Sequence, residues 1–100
     1  MKLSQVVKQP KHVELQTMAG KTIYVTNIET LTSEEFGSGF KVYFYLEDEP
    51  QEPYSSAVFS EHVCRTLLNL LEYVTVNNLD LALDPCEIKV EKAGKSYILS

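Results

Sequence analysis

The chain has 100 residues, 44% hydrophobic and 23% charged, which suits a single domain around one core. Its formal net charge of -5 excludes a protein that grips nucleic acid chiefly by bulk positive charge. A local basic strip stays open, because salt confines charge effects to roughly 8 Å under physiological conditions.

Residues 1–19 read as a lead-in. Leu3, Val6 and Val7 would share one side of a short helix over 3–8, which Pro10 stops. The stretch holds no signal-peptide core, and no segment approaches the roughly 20 apolar residues of a membrane span. A cytoplasmic protein with no membrane partner is expected. His12 to Met18 alternates weakly, as a short strand or an extended approach, and Ala19-Gly20 is a turn signal.

Lys21 to Leu31 is rich in β-branched and aromatic residues and predicts the first long strand. Ile23, Val25 and Asn27 share one face, and Thr22, Tyr24, Thr26 and Ile28 the other. Both faces carry apolar groups, so alternation leaves open which one is buried. Thr32 to Gly39, with two glycines and two serines, predicts a loop.

Phe40 to Leu46 predicts the second strand and is the most informative stretch. Phe40, Val42, Phe44 and Leu46 read as core. Lys41, Tyr43 and Tyr45 then fall on the wet side, where two aromatic rings need a reason.

Glu47 to Pro53 predicts an exposed acidic connector, and Tyr54 to Phe59 a short third strand. Ser60 suits a helix N-cap, with Glu61 in the first turn. Val63, Leu67, Leu70, Leu71 and Val74 recur at helical spacing, so Glu61 to Tyr73 predicts one amphipathic helix. Thr75 to Asp84 is ambiguous, with a turn at Asn77-Asn78. Cys86 to Lys92 alternates cleanly, and Ala93-Gly94 turns the chain into a closing hairpin with Lys95 to Leu99.

The order is three strands, one helix, two strands. That is the element order of a mainly β, five-stranded OB-fold, a Greek-key barrel whose helix lies between strands three and four. At the residue level the chain resembles small phage- and prophage-type OB-fold single-stranded-DNA-binding proteins. The resemblance runs from Gly20 onward. It rests on Gly20-Lys21-Thr22-Ile23, Ser33 to Gly37, the aromatic strand Phe40–Leu46, Ser55–Ser60, and the hairpin with Gly94 and Tyr97. It implies a non-catalytic, cytoplasmic protein of phage replication or recombination that binds single-stranded DNA without a cofactor.

Binding unpaired bases needs flat aromatic faces and positive charge along the phosphates. Tyr43 and Tyr45 stand two residues apart on one face, about 7 Å along the strand, and Lys41 shares that face. Tyr24 would join them from the first strand, Phe36 would close over a base from the glycine-flanked loop, and Lys21, Lys89, Lys92 and Lys95 would rim the surface. Each also has a plain alternative: strand tyrosines under a loop, a loop anchor, and solubilising charges. A protein partner or a second copy of the chain could use the same face, making an adaptor or assembly module.

Nothing in the spacing supports catalysis. His12 and His62 are isolated, and no Ser/His/Asp or Cys/His set emerges. Cys64 and Cys86 lie outside any metal-ligand spacing and read as small buried hydrophobes. The carboxylates from Glu47 to Glu52 lack the spacing of a calcium loop.

Overall fold

The computed structural model describes residues 10–94 and 96–100, so the helix expected over 3–8 and Lys95 lie outside the described residues. The described chain is mainly β, with one curled half-barrel sheet and one α-helix. Strand β1 is Lys11–His12, and a 3-10 turn follows at Leu15–Met18. Strands β2 (Thr22–Ser33), β3 (Gly37–Leu46) and β4 (Glu49–Val58) come next. Helix α1 (Glu61–Val76) then leads to β5 (Cys86–Ala93) and β6 (Ser96–Leu99). The order across the sheet is β1-β4-β3-β2-β5-β6.

Apolar alternation makes the core. Ile23 and Val25 of β2, Val42, Phe44 and Leu46 of β3, and Ile88 and Val90 of β5 turn inward against Val63 and Leu67 of α1. Leu15 and Met18 of the 3-10 turn are buried with them. This turn contacts both β4 and β5, and the Gly20 N–H donates to the Val90 carbonyl at 2.7 Å. The 3-10 turn therefore packs against both β4 and β5.

The described sheet has six strands rather than the expected five, and the helix follows the fourth rather than the third. The addition is β1, two residues paired in parallel with β4 at Lys11–Tyr54 and His12–Ser55. Two residues are too few to leave an alternation signal in the sequence.

The expected loop over Thr32–Gly39 is a hairpin turn of three residues, because β2 continues to Ser33 and β3 begins at Gly37. The Ser33 hydroxyl accepts the N–H groups of Glu35 and Phe36, each at 3.2 Å, and Gly37 takes the left-handed φ of 82° that closes the turn. Gly39 has a different task. A Cβ there would run into the Val58 carbonyl oxygen and lie 2.6 Å from the Phe59 ring.

The acidic connector also shrinks, since β4 begins at Glu49. Pro50 and Pro53 cannot donate to a ladder, and the β3–β4 register breaks between Phe44 and Leu46. At the helix, Ser60 makes no side-chain cap hydrogen bond. α1 runs past Tyr73 to Val76, where the Asn77 amide donates to the Tyr73 carbonyl at 2.8 Å and Asn78 adopts φ 54°.

Candidate nucleic-acid interface

The outward side of β3 carries Lys41, Tyr43 and Tyr45, all half-buried, while Val42, Phe44 and Leu46 between them are buried. What faces them is set by a bulge in β2. The register slips between Val25 and Asn27, so Thr26 is the extra residue. Before the bulge Tyr24 lies opposite Tyr45; after it Asn27 lies opposite Tyr43, and Glu29 opposite Lys41. The bulge also turns Ile28 inward, opposite Val42, and the Thr26 hydroxyl ties it to β3 by donating to the Tyr43 carbonyl at 3.3 Å.

Tyr24 and Tyr45 stack, with ring centroids 5.2 Å apart and planes 13° from parallel. The Tyr43 hydroxyl donates to a Glu29 carboxylate oxygen at 3.1 Å. The Lys41 ammonium lies 5.2 Å from the centroid of the Tyr43 ring, within cation–π range. One continuous strip thus holds Lys41, Tyr43 and the Tyr45–Tyr24 pair.

Carboxylates border the strip. Glu87 on β5 stands opposite Tyr24, and Lys89 stands opposite Thr22 and reaches Glu91 at 3.7 Å. Burial raises the Tyr24 phenol above the usual tyrosine range, and the charges of Glu47 and Glu87 and the Tyr45 phenol push it the same way.

The other expected contacts divide. Lys21 lines a shallow hollow with Leu46, Glu47 and Asp48, close in sequence to Tyr24 and Tyr45. Lys92 pairs with Tyr97 and lines a separate hollow with Gln16 and Ala19. Phe36, at the hairpin turn, is 63% exposed and leans on Phe59 with centroids 5.4 Å apart, so it does not join the tyrosine strip. Sequence reasoning missed Tyr54, which stacks on Phe44 at 5.7 Å and donates to Glu49 at 2.7 Å. Its position at the start of the short third strand expected over Tyr54–Phe59 is a strand signal rather than a site signal.

Several groups favour the neutral state. Burial raises the thiols of Cys64 and Cys86 above the ordinary 9.0. Tyr24, Tyr54 and Tyr97 are raised above the ordinary 10.0, Tyr54 first through its hydrogen bond to Glu49 and the others first through burial. A raised acid of this kind ionises earlier in the unfolded chain than in the folded one, so its contribution is complete below the unfolded value and is lost as pH rises through the folded one. Thermal melts should therefore hold level up to pH 9.0 and fall progressively above it. A midpoint that stays flat well past pH 10.0 would contradict these environments.

Among the described residues no group of three His, Cys, Asp or Glu side chains could hold a metal ion, and no helix is long and apolar enough to cross a membrane. No protein-family profile, curated protein or solved structure matches the chain.

Proposed function

We propose that the protein is a non-catalytic module that binds single-stranded DNA on the outer face of β2 and β3, and that it acts in phage replication or recombination. The observation that carries this reading is the strip itself: Lys41, Tyr43 and the stacked Tyr45–Tyr24 pair in line across two strands. Bases would stack on the rings, each worth about 1–3 kcal/mol, and Lys41 would meet a phosphate. Once β1 is set aside, the remaining strands and the helix follow one another in the order of a five-stranded OB-fold, which supports the same reading.

Fluorescence anisotropy with a labelled oligo-dT at low salt tests it. Binding should weaken as salt rises, with a log–log slope of about -0.7 per phosphate neutralised. No binding, or binding that salt leaves unchanged, would overturn it.

A second reading, a protein-binding adaptor, is favoured by Glu29, which accepts the Tyr43 hydroxyl, and by Glu47 and Glu87, whose charges act on Tyr24. Carboxylates on this face repel phosphates and would suit a basic partner. That reading expects a stable oligomer or a copurifying protein, with no response to oligo-dT.

A further inference from the structure

Where β2 bulges, a groove of about 880 Å³ opens beside the tyrosine strip. Tyr43 belongs to both the strip and the groove, and the bulge residue Thr26 lines the groove beside it. Leu71 and Val74 of α1 and Leu79 of the following turn give it apolar surface. Asn27 of β2 and Asp80 of the segment after α1 supply polar groups. Apolar walls with a few convergent polar groups are what a flat heterocycle needs.

We propose that this groove takes one unstacked base of the bound strand and favours guanine, an inference that rests on the DNA-binding reading above. The donor and acceptor chemistry makes the choice. Asp80 Oδ1 accepts the Ala82 N–H at 3.0 Å, which holds the carboxylate in place. An ionised carboxylate only accepts, on two oxygens. Guanine presents N1–H and an N2 amino hydrogen side by side, a match for two oxygens. Thymine presents one N–H flanked by carbonyl oxygens, which the carboxylate repels. Asn27 Oδ1 accepts the Ile28 N–H at 2.9 Å on one of its two lone pairs, as Asp80 Oδ1 does the Ala82 N–H, and the Asn27 amino group is a donor for guanine O6.

The test uses the full chain and three labelled oligonucleotides: oligo-dT, the same strand with one central deoxyguanosine, and the same strand with deoxyinosine there instead. Inosine lacks only the N2 amino group. The guanine strand should bind about tenfold more tightly than the other two, in line with a lost base-edge contact. Asp80→Asn keeps an Oδ1 for the Ala82 N–H, so circular dichroism should be unchanged, while the guanine preference on that variant should vanish. Equal binding of all three strands would overturn the base site and leave the tyrosine strip standing. A guanine preference that survives Asp80→Asn would overturn it as well. No binding of any strand would overturn both.

Discussion

Removing both rings of the strip, Tyr43→Ala with Tyr45→Ala, is expected to weaken oligo-dT binding by about a hundredfold, since each stacked base is worth about 1–3 kcal/mol. The rings occupy alternate outward positions of β3, so neither is part of the inward row of Val42, Phe44 and Leu46. Tyr43→Phe separates stacking from polarity. It keeps the face and loses only the hydroxyl that donates to Glu29. Affinity close to wild type is expected for it, measured by the same anisotropy titration. If the double alanine variant binds as tightly as the native chain while remaining folded, the strip is not where bases sit.

The largest effect on stability should come from Phe44→Ala. Phe44 is 2% exposed, belongs to the core cluster and stacks on Tyr54 at 5.7 Å. Truncating such a ring removes its transfer energy and leaves a cavity that the sheet cannot close, at about 3–5 kcal/mol. Small domains are stable by only about 5–15 kcal/mol. The melting midpoint should therefore fall by on the order of 20 °C. Phe44→Leu fills most of the space and should lose far less. A small shift for the alanine variant would mean that this part of the core repacks freely.

β3 begins earlier than expected, at Gly37, and Phe40 is only half-buried, but the alternation of Val42, Phe44 and Leu46 against Lys41, Tyr43 and Tyr45 could be read from the sequence. β2 could not, although its presence could. Its alternation changes phase at Thr26, so Ile23 and Val25 are buried before the bulge and Ile28 after it. A period-two reading necessarily placed Ile28 on the face of Tyr24. The same bulge decides that Asn27 rather than Thr26 faces Tyr43, so the composition of the site depended on a feature that only pairing with β3 creates. β1 escaped notice for a different reason, since its pairing with β4 comes from a fold contact over two residues. Of the candidate side chains, Tyr24, Lys41, Tyr43 and Tyr45 on β2 and β3 come together, whereas Lys92 on β5 and Phe36 in its turn lie apart from them. A glycine-flanked loop suggests that Phe36 could swing over a base, but the turn is only three residues long and Phe36 packs on Phe59, away from the tyrosines.

In the proposed function, unpaired bases meet the outer face of β2 and β3. The most direct measurement is a titration of the ¹⁵N-labelled protein with oligo-dT, followed by amide chemical shifts. The largest shifts are expected at Lys41, Tyr43, Tyr45 and Tyr24. Shifts confined to α1 or to the β5–β6 hairpin, or a spectrum that oligo-dT leaves unchanged, would contradict it.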